Sequence, residues 1–226
     1  MIARYSRPWM YPKQIDAIFT PARYSVIEAS TKSGKTVGCI IWLFEQALQG
    51  KIGNQYWWIA PVREQSKIAF KRLKRYLDTS LYDAHEQALE IHVRASNTII
   101  AFKTADKPDS LYGEDVYAMV IDEATRCKEE AWIAARTTIT ATGGPVRVIG
   151  NVKGRRNWAY QLARRAESGE PGWHYAKITA WDAIEAGVLD EAEVLDAKSV
   201  FRGNTAAFKE LYEAEPSDDE GCPFGT

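Results

Sequence analysis

One stretch of the chain decides how we expect it to fold: Ala29-Ser30-Thr31-Lys32-Ser33-Gly34-Lys35-Thr36. It follows the G-x-x-x-x-G-K-[ST] pattern, in which backbone N–H groups surround phosphate oxygens, the Lys reaches the β- and γ-phosphates and the hydroxyl binds Mg²⁺. Gly34, Lys35 and Thr36 fit this pattern, while Ala29 occupies the position of the first Gly. We therefore predict a phosphate-binding loop with one departure from the pattern.

The residues on either side of this loop supply the context that such a loop requires. Residues 24–28 form a short, largely apolar run before it, and residues 36–44 have the apolar density of a buried helix. An anion bound by the loop would then lie at a helix N-terminus, where unpaired N–H groups and the helix dipole favour it. A chance S-G-K-T sequence in a polar loop would lack both flanks, so we favour a phosphate site.

The composition narrows the class of protein. A chain of 226 residues with 46% hydrophobic content can bury a sizeable core, and its net charge of -1 means that any contact with nucleic acid would use local basic patches. Cys39, Cys127 and Cys222 form no C-x-x-C pair, which argues against a disulfide framework or a zinc site. No run approaches the roughly 18 apolar residues of a membrane span, so we expect no membrane association.

Strand-like and helix-like segments alternate along the chain, which is typical of a mostly parallel sheet flanked by helices. Residues 89–93 and 98–102 alternate polar and apolar side chains and predict an antiparallel hairpin inserted into this pattern. The other predicted strands are residues 55–60, 117–121, 146–149 and 173–179, and the later helices are residues 63–77, 191–200 and 205–214. The fold class that we predict is therefore α/β.

A second motif follows a predicted strand. Four apolar residues lead directly into Asp122-Glu123. In phosphate-loop enzymes the first acid at such a strand tip holds Mg²⁺, and the second orients and deprotonates the attacking water. Because side chains alternate along a strand, we predict that Asp122 and Glu123 point to opposite sides. An isolated D-E pair usually lies in a solvated loop, but one that ends an apolar strand in a chain with a phosphate loop indicates nucleotide hydrolysis.

The ordered set of motifs resembles the large terminase subunits of tailed phages, the ATPases that pump DNA into procapsids. The resemblance rests on residues 9–14, 29–36, 110–115, 120–124, 148–154 and 157–160. It covers nearly the whole chain and is much more specific than any single motif. It implies a P-loop NTPase fold of the ASCE type, a mostly parallel sheet flanked by helices, plus a small C-terminal linker subdomain.

The resemblance also implies roles for individual residues, with ATP and Mg²⁺ as cofactors. Gln14 would contact the adenine, Thr36 and Asp122 would bind the metal, and Glu123 would be the catalytic base with Lys35 beside it. Gly150 and Asn151 would belong to the coupling motif, which senses the γ-phosphate and transmits hydrolysis to DNA movement. The implied nucleotide-binding set is Gln14, Ala29, Ser30, Thr31, Lys32, Ser33, Gly34, Lys35 and Thr36.

Two departures from the family pattern affect these roles. Ile149 precedes the coupling pair where the family often has Ser or Thr. Tyr112 stands where the family often has Arg, so the arginine finger is not placed by the motif. Lys32, inside the loop, or Arg126, just past the acids, could supply that charge, and we favour Lys32 as a catalytic residue because of its place in the loop.

The partners that the resemblance implies are double-stranded DNA, the portal protein, the small terminase subunit and further copies of the chain in a ring on the portal, all in the host cytoplasm. We expect residues 1–168 to form the ATPase core and residues 169–226 to form the linker or lid subdomain. The acidic residues 216–226 look like a linker. Family members also carry a nuclease domain, and nothing after Ala180 predicts strands that end in paired acids.

The sequence leaves two alternative functions open, and it also leaves open the role of one basic helix. The rivals are a helicase-like DNA-dependent ATPase, which the lack of a second motor domain disfavours, and a nucleotide-dependent assembly module, which would not need Glu123. In the helix at residues 63–77, a basic face either follows DNA phosphates or is a solvated surface, which is the commoner role of an isolated basic helix. That face contains Lys67, Lys71, Arg72, Lys74 and Arg75. Trp57 and Trp58 are predicted to lie in the core.

Overall fold

The structure, a computed structural model, describes residues 5–217 of the 226-residue chain. In this range the chain forms one eight-stranded sheet with helices on both faces. The strands are β1 (Tyr24–Ala29), β2 (Gln55–Ala60), β3 (Tyr82–His85), β4 (Glu90–Val93), β5 (Thr98–Thr104), β6 (Val116–Ile121), β7 (Val146–Gly150) and β8 (Trp173–Ile178). The helices are α1 (Pro12–Ile18), α2 (Lys35–Leu48), α3 (Arg63–Tyr76), α4 (Glu129–Thr138), α5 (Trp158–Glu167), α6 (Ala180–Glu185), α7 (Glu191–Val200) and α8 (Thr205–Phe208).

The order of strands across the sheet is β3-β4-β5-β2-β6-β7-β1-β8. From β5 to β8 all neighbours are parallel, and β3, β4 and β5 form an antiparallel edge. The predicted α/β class, the mostly parallel sheet and the inserted hairpin are therefore confirmed. The sequence did not predict β3, because an edge strand with exposed polar residues carries a weak hydrophobic pattern.

The topology brings the carboxyl ends of three strands together. β7 lies between β1 and β6, so the segments that follow these strands meet at one edge of the sheet. In open parallel sheets, ligands bind at this edge. The loop at residues 29–36, the acids after β6 and the Gly150-Asn151 pair after β7 are the three segments concerned.

Each face of the sheet has its own hydrophobic core. α1, α2 and α3 cover one face and α4 and α5 cover the other. Trp58 packs in the first core with 0% exposure and Trp57 in the second with 1%, which confirms that both lie in the core. α2 is apolar on nearly all sides and is correspondingly buried along most of its length.

A buried arginine ties the segment before β1 to the sheet. Arg147 of β7 is 2% exposed and donates hydrogen bonds to the carbonyl oxygens of Ile18 (2.6 Å), Thr20 (2.8 Å) and Ala22 (3.2 Å). Its guanidinium lies 4.3 Å from the Trp42 ring centroid. Burial lowers its pKa to about 10. Because the guanidinium fork satisfies several carbonyl groups at once, one side chain fixes the approach of the chain to β1.

The chain after β8 forms a small helical unit. Ala180, Val194 and Phe208 make a separate hydrophobic cluster, and α8 continues into a π-helical turn at Lys209–Glu213. The predicted helix at residues 191–200 is confirmed, α6 was not predicted, and the helix expected at residues 205–214 is divided. β8 pairs with β1, so a boundary at residue 168 would separate a strand from its sheet. Most of the predicted acidic tail, residues 218–226, lies outside the described residues.

We expect Arg147→Lys to lower the free energy of unfolding by about 3 kcal/mol, because an ammonium cannot satisfy the carbonyl oxygens that the planar fork reaches. Urea denaturation followed by circular dichroism measures this. Arg75→Lys, on the exposed face of α3, is the matched control and should change stability by less than about 0.5 kcal/mol. A loss below about 1 kcal/mol for Arg147→Lys would contradict the structural role given to the fork.

Candidate active site

The loop between β1 and α2 is held from behind by hydrogen bonds to its carbonyl groups. Tyr11 Oη donates to Ser33 O at 2.7 Å, Gln14 Nε2 donates to Gly34 O at 2.7 Å, and Ser33 Oγ donates to Ser30 O at 2.9 Å. Gly34 has φ 82°, and a Cβ there would lie 3.1 Å from Gln14 Nε2, so both conformation and space require glycine.

These bonds leave the loop's N–H groups available to a ligand. Among residues 5–217, no acceptor receives a hydrogen bond from the N–H groups of residues 32–36. Consecutive free N–H groups at a helix N-terminus form an anion site. Ala29, in contrast, is the last residue of β1, fully buried and with ordinary φ, which explains why this position does not need the glycine of the pattern.

Lys35 is the centre of the site. Its ammonium is buried, and Nζ lies 3.2 Å from Ser30 O, 3.5 Å from Asn151 Oδ1 and 3.7 Å from Glu123 Oε1. These three oxygens belong to the loop, to the segment after β7 and to the segment after β6. One cation therefore contacts all three segments that the topology brings to the edge of the sheet.

Asp122 and Glu123 face the same cleft, so the prediction that they point to opposite sides is wrong. β6 ends at Ile121, and Glu123 has a left-handed conformation with φ 48°, which turns its side chain back beside Asp122. The Glu123 N–H donates to Asp122 Oδ1 at 3.0 Å. Burial and the neighbouring Glu123 charge raise the pKa of Asp122 to about 7, and the Lys35 ammonium acts against this rise.

A cleft of about 470 Å³ opens between the loop, the two acids and α3. Thr36 and Asp122 both line it, and their hydroxyl and carboxylate oxygens are of the kind that coordinates Mg²⁺. α3 contributes one face of residues at helical spacing, which is Gln65, Ile68, Ala69, Arg72 and Tyr76. The sequence did not reveal this face, because its mixed polar and apolar residues lie between the apolar stripe and the lysines of the same helix.

Asn151 links the loop to the C-terminal helices. Its Nδ2 donates to Ala29 O at 3.1 Å and to Leu211 O at 3.4 Å, while its Oδ1 faces Lys35. Thr125, just past the acids, donates to Asn151 O at 3.0 Å. The side chain of Asn151 thus contacts strand β1, the loop lysine and the π-helical turn at the same time.

Gly150 permits a close approach of β7 to the acidic segment. A Cβ at this position would lie 3.1 Å from Ala124 N and 3.4 Å from the Glu123 Cα. Ile149 before it is 1% exposed and packs in the core, which gives a structural reason for an apolar residue there. The structure therefore brings the predicted coupling pair against the predicted catalytic base.

A second cleft, of about 360 Å³, adjoins the first at Thr31 and Lys32, which line both. Its other wall comes from the C-terminal helices and includes Val188, Leu189, Asp190, Glu193, Val194 and Tyr212. The Thr31 N–H donates to Leu211 O at 2.7 Å and fixes this wall to the loop. The wall combines apolar side chains with carboxylates.

Other predicted residues lie outside both clefts. Gln14 is buried behind the loop, Arg126 is exposed, and neither lines a cleft. Tyr112 is 50% exposed. Within the described part of the chain, no group of three or more His, Cys, Asp or Glu residues could hold a metal ion, and no helix is long and apolar enough to cross a membrane.

Comparison with known proteins places these features in a family. The family model described as "Terminase large subunit, ATPase domain" matches residues 16–163. The terminase large subunit of Thermus phage G20c is 27% identical over 131 residues, a match that covers 49% of this chain and 27% of that protein. The chain thus matches only about a quarter of this curated relative.

Solved structures have the same fold. The large terminase ATPase domain of Thermus phage P74-26 superposes with a TM-score of 0.76 at 20% identity, covering 92% of this chain and 94% of that one. The large terminase of bacteriophage HK97 gives 0.79 at 14% identity, covering 92% and 51%. A large terminase from a thermophilic bacteriophage, solved in complex with ATP-γ-S, gives 0.75 at 14% identity, covering 90% and 52%.

The fold resemblance extends over nearly all of the chain, and the family model covers more than half of it, including the phosphate loop, both acids and the Gly150-Asn151 pair. The family suggested by the ordered motifs is thereby confirmed: the chain belongs to the family of terminase large subunit ATPase domains.

Proposed function

We propose that the chain binds ATP with Mg²⁺ in the 470 Å³ cleft and hydrolyses it, and that a terminase large subunit containing it uses this hydrolysis to drive double-stranded DNA into a procapsid. One observation carries the proposal. The buried ammonium of Lys35 lies 3.7 Å from Glu123 Oε1, and it lines one cleft with Asp122 and with the loop, whose N–H groups at residues 32–36 make no hydrogen bond among residues 5–217. Phosphates, a divalent cation and an attacking water each have a matching group there.

The phosphates are proposed to lie against the N–H groups of residues 32–36, with Lys35 on the β- and γ-phosphates. Thr36 and Asp122 would hold Mg²⁺, which would supply positive charge to offset that of the phosphates. Structures of the large terminase from the thermophilic bacteriophage, in complex with ADP and with ATP-γ-S, support a nucleotide site in this fold. Lys32, exposed within the loop, can approach the same phosphates.

The base is proposed to lie in the second cleft. If the γ-phosphate faces Asp122 and Glu123, the ribose and base must extend in the opposite direction, past Thr31 and Lys32. The apolar side chains of that cleft suit the faces of a purine, and its carboxylates can accept hydrogen bonds from an exocyclic amino group. Gln14 would then not contact the base, and it would affect nucleotide binding indirectly, because its hydrogen bond to Gly34 O positions the loop.

Glu123 is proposed as the general base. In the structure its carboxylate is 3.7 Å from Lys35 Nζ. When the phosphates draw the ammonium toward themselves, the carboxylate becomes free to orient a water and to accept its proton. The left-handed backbone of Glu123 and the close approach of Gly150 hold this carboxylate at the cleft.

Asn151 is proposed to transmit the state of the cleft to the C-terminal helices, since it contacts both Lys35 and Leu211 O.

We propose that the nucleotide-binding unit extends to Ile178 and that the linker subdomain follows it, because β8 belongs to the sheet. Double-stranded DNA, the portal protein, the small terminase subunit and a ring of identical subunits in the host cytoplasm are the partners and setting that this proposal includes.

We expect Lys35→Ala to abolish ATP hydrolysis and Glu123→Gln to reduce kcat by roughly 10²- to 10⁴-fold while nucleotide still binds, because Gln keeps the shape of Glu but cannot accept a proton. Phosphate release and binding of a fluorescent ATP analogue separate these effects. Glu129→Gln, an exposed residue of α4, is the matched control. Wild-type turnover in a folded Lys35→Ala protein would show that the cleft does not hydrolyse ATP.

The Asn151 link makes a second prediction. Asn151→Ala should leave nucleotide affinity within a few-fold of wild type but weaken the effect of nucleotide on protease cleavage after Ile178, since the segment after β7 would lose its contact to Leu211 O while the Thr31 N–H keeps its own. Limited proteolysis with and without ATP-γ-S measures this. Asn54→Ala, in a remote turn, should behave as wild type. Cleavage of Asn151→Ala that depends on nucleotide as strongly as cleavage of wild type does would exclude a role of Asn151 in this link.

A further inference from the structure

The face of α3 that lines the 470 Å³ cleft lies close to the acids. The N–H of Asp122 donates to Ile59 O at 2.8 Å, so the acidic segment is next to the end of β2, and α3 begins three residues after that strand ends. Gln65, in the first turn, and Arg72, two turns later, both line the cleft that Lys35 and Thr36 also line. α3 therefore forms the wall that faces the loop.

Arg72 differs from Arg23, Arg147 and Arg164, which are also partly or fully buried, in having no hydrogen-bond or ion-pair partner among residues 5–217. In contrast, Arg7 pairs with Glu45 and Arg94 pairs with Asp83. A partly desolvated cation without a partner is unfavourable, and an anion in the cleft would relieve that cost.

Two further observations indicate that the α3 wall is suited to a polar ligand. The buried Oε1 of Gln65 has no hydrogen-bond partner in the described part of the chain. Burial has the largest effect on the pKa of Asp122 and raises it, while the positive charge of Arg72 is among the smaller effects that lower this pKa. The guanidinium thus lines the same cleft as Asp122, the proposed metal ligand, and is within electrostatic range of its carboxyl group.

We propose that Arg72 is a catalytic residue of ATP hydrolysis. Its guanidinium donates hydrogen bonds to the γ-phosphate oxygens of the nucleotide that is bound by its own subunit. In the reaction, water attacks the γ-phosphorus and its proton passes to Glu123, while the bond to the bridging oxygen breaks and its electron pair leaves with ADP. Arg72 offsets the charge on the transferred group. The inference rests on the proposed function, and it adds a residue on α3 to the candidates Lys32 and Arg126.

The test compares Arg72→Ala and Arg72→Lys with Arg75→Ala, an exposed arginine on the same helix. We expect Arg72→Ala to lower kcat by roughly 10³-fold, as loss of an arginine finger does, with Arg72→Lys intermediate and Arg75→Ala within about two-fold of wild type. Circular dichroism checks folding. Equal turnover of Arg72→Ala and Arg75→Ala would overturn the proposal.

A binding measurement tests the same contact without turnover. Arg72→Ala should bind ATP-γ-S about tenfold more weakly than wild type does, because about one charge-assisted hydrogen bond is lost, while its affinity for ADP stays unchanged. An equal loss for both nucleotides, or no loss for either, would overturn the contact to the γ-phosphate. This readout stands even if the isolated wild-type chain hydrolyses ATP too slowly to measure.

Mixing two inactive variants establishes which subunit supplies the arginine. Lys35→Ala subunits keep Arg72, so a trans contact would restore activity when they are mixed with Arg72→Ala subunits at concentrations that favour assembly. We expect no restoration, and restored turnover would overturn the same-subunit assignment. Wild-type turnover in Lys35→Ala alone would instead contradict the proposed function, so the two failures are distinguishable.

Discussion

The buried ammonium of Lys35 is the interaction on which the site depends. It lies within 3.7 Å of oxygens from the loop, from Asn151 and from Glu123, and so it joins the ends of β1, β7 and β6. This cation is held by weak, long contacts rather than by a short ion pair. Phosphate oxygens would offer it stronger partners, so binding of a nucleotide is expected to redistribute contacts at all three strand ends.

This redistribution has a path to the rest of the chain. Asn151 contacts Lys35 on one side and the carbonyl of Leu211 on the other, and the Thr31 N–H donates to that same carbonyl. The C-terminal helices are therefore attached to the loop by hydrogen bonds, whereas their apolar cluster is separate from the two cores of the sheet. Such an arrangement allows the helices to respond to the state of the loop, since a few polar contacts rearrange more readily than a shared core does.

Sequence patterns predicted those parts of the site that lie on short contiguous motifs. The loop, the two acids and the Gly150-Asn151 pair could be found because each follows a strand with a strong apolar pattern, and parallel strands bring their ends together. The orientation of Glu123 could not be predicted from the sequence, because its left-handed backbone begins where the strand pattern stops. The position of Arg72 on the α3 wall could not be predicted either. The face of a helix with mixed polar and apolar residues that meets the cleft depends on tertiary packing, which no local sequence pattern records.

We propose that a nucleotide occupies the cleft with its terminal phosphate between Lys35 and Glu123. A crystal structure of the chain with Mg²⁺ and a non-hydrolysable ATP analogue tests this most directly. We expect phosphate oxygens on the N–H groups of residues 32–36, the metal beside Asp122, and the base in the cleft next to Leu189. A nucleotide bound elsewhere, or one whose γ-phosphate points away from Asp122 and Glu123, would contradict it.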